Sequence, residues 1–178
     1  NSTACSCDPN YFFFFHEVMY NTSMLKNKFL SFILFAVITY SASVIGGLAT
    51  INFKEPWYSL LIKPQYNPPD WIFAPVWTTL YLLMTIAIWS AWHINKKDID
   101  TIYIYIIHLI FNTTWSVIFF VFHKIFLALI VLLVLIFLII VLMVRFRRVN
   151  LISYYLMIPY LLWCFYALIL NLSLFILN

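Results

Sequence analysis

Hydrophobic residues fall along this chain in long runs, and the charged residues fall between the runs. Five stretches, residues 29–48, 71–92, 101–122, 125–144 and 151–177, contain no Lys, Arg, Asp or Glu. A transmembrane α-helix needs about 20 predominantly apolar residues to cross a bilayer, and each stretch is long enough. The pattern therefore predicts an all-α fold, an integral membrane bundle of five transmembrane helices.

The composition indicates that lipid, rather than water, surrounds most of the chain. Hydrophobic residues make up 65% of the sequence and charged residues only 9%, whereas soluble domains carry about a quarter charged residues. The net charge of +4 comes from few residues, so it does not indicate nucleic-acid binding. Seven of the ten Lys and Arg residues fall on the face that carries the N-terminus, which predicts a cytoplasmic N-terminus.

The chain divides into two parts of different character. Residues 1–23 contain Cys5, Cys7 and a run of four Phe residues that is too short to span a membrane. We expect this segment to be a disordered or non-native N-terminal extension, and residues 24–178 to form the five-helix transmembrane domain. The cysteines, which include Cys164, show neither a disulfide framework nor a metal-ligand spacing.

The long loop before the second stretch is rich in aromatic residues and prolines. Because proline fixes φ and restricts the residue before it, this loop has few conformations. The loop aromatics would either cover a pocket in the bundle or anchor the loop at the membrane interface, and composition alone favours the anchor. They are Trp57, Tyr58, Tyr66 and Trp71. The carboxylate of Asp70 is expected to cap the second helix.

Polar residues inside the third stretch share one helical face. His108, Asn112 and Trp115 lie at positions i, i+4 and i+7. Polar side chains at membrane depth rarely face lipid, so this face is expected to point into the bundle. It would serve either ligand binding or hydrogen bonding between helices, and the pattern leaves both interpretations open.

The fifth stretch carries a similar face. Trp163, Ala167 and Asn171 lie at i, i+4 and i+8, and the small Ala167 would leave space between two larger neighbours or allow close helix packing. In the first stretch, Ala42 with Gly46 and Ser43 with Gly47 form two patterns of small residues four apart, which are used for helix packing or dimerisation.

Several motifs recur in one order across the five predicted spans. They are Trp57-Tyr58, Lys63-Pro64, Pro68-Pro69 with Trp71, the run Ala74-Pro75-Val76-Trp77-Thr78-Thr79-Leu80-Tyr81, Asn112 with Trp115-Ser116 and Phe119-Phe120, and Pro159-Tyr160-Leu161-Leu162-Trp163 with Ala167 and Leu170-Asn171. Together they resemble the translocator protein family, also called tryptophan-rich sensory proteins or peripheral-type benzodiazepine receptors. The resemblance covers roughly residues 25–178, that is, all five predicted spans.

The resemblance implies a five-helix bundle, often a homodimer, with a ligand pocket under the first loop. Family members bind porphyrins such as protoporphyrin IX and haem, benzodiazepine-type ligands and, in some cases, cholesterol. No obligatory cofactor, catalytic residue or metal site is expected. The match assigns ligand binding to Trp57, Tyr58, Pro68, Trp71, Asn112, Trp115, Trp163 and Ala167, with Trp57, Tyr58 and Pro68 in the lid. His108 stands where members often have Gln and is expected to keep a hydrogen bond at the same site.

The chain departs from the family pattern near its end. The cholesterol-recognition segment of animal members needs a Tyr and a basic residue, but Leu172 and Ile176 stand in that stretch and Phe175 replaces a usual Trp. The cholesterol motif is therefore absent from the sequence. Family precedent indicates the cell envelope if the chain is bacterial, and the mitochondrial outer membrane or another organelle membrane if it is eukaryotic.

Three functions are consistent with the sequence. The leading hypothesis is a membrane receptor or transporter that binds tetrapyrroles in a Trp-lined pocket. The second is light- and oxygen-dependent degradation of a bound porphyrin, with Trp71 and Trp163 beside the ring. The third is a scaffold whose Ala42 and Gly46 face recruits a partner.

Overall fold

The computed structural model describes residues 27–95 and 98–178, and within these ranges the regular structure is helical. The helices, numbered here in chain order, are α1 Lys28–Phe53, α2 Trp57–Leu60, α3 Phe73–Ile94, α4 Ile99–Ser116, α5 Ile125–Val149, α6 Leu151–Leu156 and α7 Ile158–Leu177. A 3₁₀ turn, Asp70–Ile72, precedes α3, and a π-helical turn, Val117–Val121, continues α4. The prediction for residues 1–23 lies outside the described residues.

Five helical segments are long and apolar enough to cross a membrane, which confirms the predicted all-α, five-span bundle. Spans 1 to 5 are Lys28–Phe53, Asp70–Ile94, Ile99–Val121, Ile125–Val149 and Leu151–Leu177. In this bundle span 1 packs against spans 2 and 3, and span 4 against spans 3 and 5. Because spans 2 and 5 are also in contact, the five spans form a closed ring in the order 1-2-5-4-3.

Side-chain amides and carboxylates begin several of these helices. Asn27 Oδ1 accepts from the backbone N–H groups of Phe29 and Leu30, at 2.9 and 3.3 Å. Asp98 accepts from the N–H of Thr101 and Asn150 from that of Ile152. Each contact satisfies a donor that the first helical turn leaves free.

The expected capping of the second span by Asp70 is wrong. Pro69 occupies the capping position and makes no side-chain cap, while the Asp70 carboxylate forms an ion pair with Lys54. Asp70 still lies in the first turn, where a negative charge is favourable to the helix dipole.

Two helix boundaries differ from the hydrophobic runs. Helix α1 continues to Phe53, five residues beyond the expected end, because the charged residues and the proline that end it come only at positions 54–56. Span 5 is interrupted at Met157, between α6 and α7. Pro159 lies at the start of α7, where a missing N–H costs no hydrogen bond.

The small residues Ala42 and Gly46 are used for packing within the chain. Both are buried, and Thr113 Oγ1 in span 3 donates to the backbone carbonyl of Ala42 at 3.5 Å. A Cβ atom added at Gly46 would lie 3.2 Å from Ser116 Oγ. Spans 1 and 3 therefore approach closely here, as small residues allow in membrane bundles.

The end of the bundle at which span 1 begins is tightly packed, and we call it the closed end. Its interior holds the large, buried side chains of Trp92, Ile102, Phe146 and Met157. The void beside Trp92 and Phe146 measures about 10 Å³, which is at the lower limit for one water molecule. The opposite end, at which span 1 ends, is the open end.

Candidate ligand-binding site

The open end contains a cavity of about 540 Å³. It lies between spans 1, 2, 3 and 5, beneath the loop that joins spans 1 and 2. Small side chains face it where the closed end has large ones: Ser43, Gly47, Ala74, Ser116 and Ala167. The cavity therefore lies where small side chains face the interior, in contrast to the large side chains that fill the closed end.

Aromatic rings form much of the cavity wall. Trp115 and Phe119, four residues apart on span 3, stack with ring centroids 5.4 Å apart and planes at 18°. Trp77 on span 2 packs against Tyr81 at 5.5 Å. With its amide oriented to satisfy both neighbours, Asn171 accepts from Trp115 Nε1 at 3.1 Å. The indole of Trp115 is thereby held by span 5.

The roof of the cavity is the loop segment that includes helix α2. Tyr58 in α2 is buried, contacts Phe119 and Phe120, and donates from its hydroxyl to Asn67 Oδ1 at 3.1 Å. Burial raises the pKa of the Tyr58 hydroxyl further above neutral pH, so this group is a hydrogen-bond donor throughout the neutral and mildly alkaline range. Trp57 stacks on His123 with a centroid distance of 4.4 Å, which ties the roof to the end of span 3.

Further contacts fasten the roof to span 5. The side-chain amide of Asn178 donates to Ile62 O at 3.2 Å, and Ile62 N donates to Asn178 Oδ1 at 3.0 Å. The Tyr166 hydroxyl donates to Tyr66 O at 2.7 Å. The loop thus has fixed contacts with spans 3 and 5 and is not held by its prolines alone.

A buried polar network forms the floor. The Tyr81 hydroxyl, at the base of the cavity, donates to Asn112 Oδ1 at 2.6 Å, and Asn112 Nδ2 donates to the Tyr160 hydroxyl at 3.0 Å. This chain of contacts joins spans 2, 3 and 5 at membrane depth. Since lipid offers no alternative partner, each group must be satisfied inside the bundle.

His108 lies below this network. Its Nδ1 donates to the carbonyl of Tyr105 at 2.8 Å, and its ring packs against Tyr160 at 5.6 Å. Its Nε2 atom has no hydrogen-bond partner among the described residues. His108 is fully buried and is not part of the cavity lining.

Charged residues lie at the rim, where the cavity meets the loop. Lys54 forms an ion pair with Asp70, and its Nζ lies 3.8 Å from a Glu55 carboxylate oxygen. All three side chains contribute to the lining. Lys63 lies over the ring of Tyr58, 4.4 Å from its centroid. The rim is therefore polar, while the interior is largely apolar.

Comparison with known proteins identifies the family. The model of the TspO/MBR family matches residues 32–177. The chain belongs to the TspO/MBR family. It is an integral membrane protein, like its relatives.

Individual members of the TspO/MBR family match over most of their length. Tryptophan-rich protein TspO of Chlorobaculum tepidum is 34% identical over an alignment of 158 residues that covers 86% of this chain and 99% of that protein. Protein CrtK of Rhodobacter capsulatus is 31% identical, over 84% of this chain and 95% of that protein. The translocator protein of Homo sapiens is 31% identical, over 65% of this chain and 70% of that protein.

The nine residues predicted from the sequence to bind a ligand fall in four positions. Tyr58, Trp115 and Ala167 line the cavity. Four others lie behind the lining and contact lining residues. Trp57 packs on Phe119, and Trp163 packs on Phe73. Asn112 accepts from Tyr81, and the carbonyl of Pro68 accepts from Asn67. Trp71 is 72% exposed and His108 is buried below the floor. Contact of these residues with a ligand stays a prediction.

Most of the lining was not among the predicted site residues, and Gly47, Trp77, Tyr81 and Phe119 are examples. A sequence signal existed for Trp77 and Tyr81, which together with Ala74 lie at i, i+3 and i+7 and share one face. Gly47 had a different signal, because with Ser43 it forms a pattern of small residues four apart that indicates helix packing rather than a cavity. A Cβ atom added there would meet nothing within 4 Å, because it would point into the cavity.

The lining is suited to an organic ligand. Within the described ranges, no three His, Cys, Asp or Glu side chains cluster in a way that could hold a metal ion. Ring faces and apolar side chains supply contact area, and the rim and Asn171 supply a few polar groups. This combination is typical of small-molecule sites.

Proposed function

We propose that this TspO/MBR-family protein binds tetrapyrroles, such as protoporphyrin IX or haem, in the open-end cavity as part of a sensory or transport role in the membrane. The observation that carries the proposal is the cavity of about 540 Å³ walled by Trp77, Trp115 and Phe119. The names of relatives, tryptophan-rich sensory protein and translocator protein, support the broader role.

The size and walls of the cavity suit a flat, mostly apolar ring. Ligand sites for small molecules measure about 300–1,000 Å³, and this cavity falls within that range. Trp77 and Trp115 offer indole faces, and aromatic pairs gain stabilisation from stacked or edge-to-face contact. A porphyrin bound here would be shielded from water by the roof.

The charged rim supports one orientation of such a ligand. The carboxylates of a porphyrin lie along one edge of the ring, and they would meet Lys54 at the rim while the rest of the ring enters the apolar interior. Lys54 would then exchange part of its contact with Asp70 for the ligand. The opposite orientation would bury charge against the aromatic wall.

A titration with protoporphyrin IX in the dark tests the proposal. Binding is followed by the fluorescence of the porphyrin, so that replacing tryptophan does not remove the signal. The Trp77→Ala/Trp115→Ala double variant removes two wall residues, and the matched Trp71→Ala/Trp163→Ala variant removes two indoles outside the lining. We expect saturable binding by the wild type, strong weakening in the first variant and little change in the second.

Two results would contradict this proposal. Absence of saturable binding by the folded wild type would show that protoporphyrin IX is not a ligand of this protein. Equal weakening in both double variants would move the site away from this cavity.

Light-dependent degradation of a bound porphyrin is the second candidate, and it would use the same cavity. The presence of Trp77 and Trp115 in the wall favours it, because oxidisable indoles would then lie beside the ring. The reactive chemistry would come from the illuminated porphyrin and oxygen. Illumination of the complex in air, with analysis of the products, tests this candidate. If porphyrin absorbance falls no faster in the light than in the dark control, the candidate is rejected.

A further inference from the structure

The cavity has an exposed side between spans 1 and 2. Five lining residues are also exposed. Ile51 belongs to span 1, Glu55 lies in the loop just after span 1, and Asp70, Ala74 and Thr78 belong to span 2. By contrast, the lining residues of spans 3 and 5 are buried or half-buried. The cavity therefore opens sideways.

Two contacts between spans 1 and 2 bound this opening. On the loop side, Lys54 forms its ion pair with Asp70. Deeper in the membrane, the Tyr40 hydroxyl donates to Thr78 O at 3.2 Å. At a rise of 1.5 Å per residue, Asp70 and Thr78 are about 12 Å apart along span 2. This distance is the height of the opening between the two contacts.

Small residues keep the space between these contacts clear. Gly47 on span 1 has no neighbour within 4 Å of an added Cβ atom. Ala74 faces the opening from span 2, and both residues line the cavity. Neither residue therefore places a large side chain in the opening.

The roof, in contrast, is fastened at several points. Tyr58 bonds to Asn67, Tyr166 bonds to Tyr66, and Asn178 makes two hydrogen bonds with Ile62. Passage through the roof would require several of these contacts to break together. Passage between spans 1 and 2 requires none of them to break.

We propose that the opening between spans 1 and 2 is the route by which the ligand passes between the bilayer and the cavity. The proposal rests on the ligand-binding function proposed above and adds the path and the chemical class that the path admits. Ala74 and Thr78 border the opening at membrane depth, while Glu55 and Asp70 border it at the start and the end of the loop. The opening thus suits a flat amphiphile that is dissolved in the bilayer with its polar edge near the headgroups.

Binding kinetics in phospholipid vesicles test this route. Association is followed after mixing with protoporphyrin IX, and dissociation after dilution into an excess of protein-free vesicles. Ala74→Phe puts a ring across the opening from span 2, and Gly47→Phe does so from span 1. For Ala74→Phe we expect both rate constants to fall about tenfold, so that their ratio changes far less than either, as for a gated site. Gly47→Phe should also slow both rates, but it should lower the affinity as well, because its ring also enters the cavity.

Three control variants separate this route from the others. Val44→Phe and Leu82→Phe enlarge exposed residues of the same spans outside the lining, and both rates should stay at the wild-type value. Asn178→Ala removes two roof contacts and should also leave the rates unchanged. It therefore tests passage through the roof.

The outcomes are distinguishable from failure of the proposed function. If the wild type binds but neither Ala74→Phe nor Gly47→Phe slows both rates, the proposed route is wrong, while the proposed binding site is not contradicted. The same holds if only dissociation changes, or if Asn178→Ala accelerates both rates. Absence of binding by the wild type would instead contradict the proposed ligand-binding function. Because the two blocking variants lie on different helices, misfolding of one leaves the other as a test.

Discussion

The two ends of the bundle are built from the same five spans but differ in how tightly those spans pack. At the closed end, Trp92, Phe146 and Met157 fill the interior and leave a void of about 10 Å³. At the open end, Gly47 and Ala167 face a cavity of about 540 Å³. The buried network of Tyr81, Asn112 and Tyr160 lies between the two ends.

Spans 1 and 2 show the same contrast along their length. At the closed end they are joined where Trp89 Nε1 donates to Lys28 O at 3.1 Å, and where Ser31 Oγ and His93 Nε2 lie 2.9 Å apart. At the open end the same helices separate around Gly47. In lipid the hydrophobic effect does not drive helices together, so packing and hydrogen bonds decide where spans touch. The closed end is thus tightly packed, and the open end leaves space for a ligand.

The largest expected effect is a loss of stability at the closed end. Phe146→Ala removes a fully buried ring and should lower the free energy of unfolding by about 3–5 kcal/mol. Unfolding in SDS followed by circular dichroism measures it. Affinity of the remaining folded protein for protoporphyrin IX should stay at the wild-type value, and a large loss of affinity would show that the two ends are not separate.

Breaking the middle network should have a smaller effect on stability. Asn112→Leu leaves the buried hydroxyls of Tyr81 and Tyr160 without their partner, and we expect a loss of about 1–3 kcal/mol. The Tyr81→Phe/Asn112→Leu double variant should lose less than the sum of the single variants, because the two residues share one bond. Strict additivity would contradict the network.

Neighbouring glycines offer a comparison within one helix. Gly46→Leu must displace Ser116 in span 3 and should cost about 1–2 kcal/mol by overpacking. Gly47→Leu points into open space, so it should keep or slightly raise stability while weakening ligand binding. Thermal unfolding and a titration of both variants measure this. Equal stability losses would mean that the cavity is not open at Gly47.

Changes of charge at the rim should have the smallest effect. For an ionised dicarboxylic porphyrin, Lys54→Gln should weaken binding and Glu55→Gln should strengthen it, each by about two- to fivefold, as expected for partly exposed charges. Both effects should shrink as salt is added. Titrations at two salt concentrations test this, and changes of the same sign would contradict the proposed orientation.

The number of spans could be predicted from the sequence because charged residues interrupt each hydrophobic run. The end of span 1 could not, because residues 49–53 are uncharged and compatible with either a helix or a linker. Asp70 appeared to be a helix cap from its position next to the helix. Its partner, Lys54, is 16 residues away, and local sequence rules do not reveal such a contact.

The candidate site was harder to predict because periodicity gives the face of a helix but not the depth. His108 and Trp115 share the inward face of span 3, but seven residues separate them by about 10 Å along the helix. Only Trp115 reaches the cavity, while His108 lies below the floor. Gly47 and Ser43 form a pattern of small residues that indicates helix packing, although both line the cavity. A cavity depends on what several helices leave empty, and no single helix encodes that.

Filling the cavity tests the central claim, that the open end is the ligand site, most directly. Ala167→Leu extends a side chain into the cavity from span 5, and Leu162→Trp is the control on the exposed side of the same span. Protoporphyrin IX is titrated against both variants and the wild type in the dark. If the account is right, Ala167→Leu loses most of its affinity while it remains folded, and Leu162→Trp binds like the wild type. Wild-type affinity in a folded Ala167→Leu variant would contradict it.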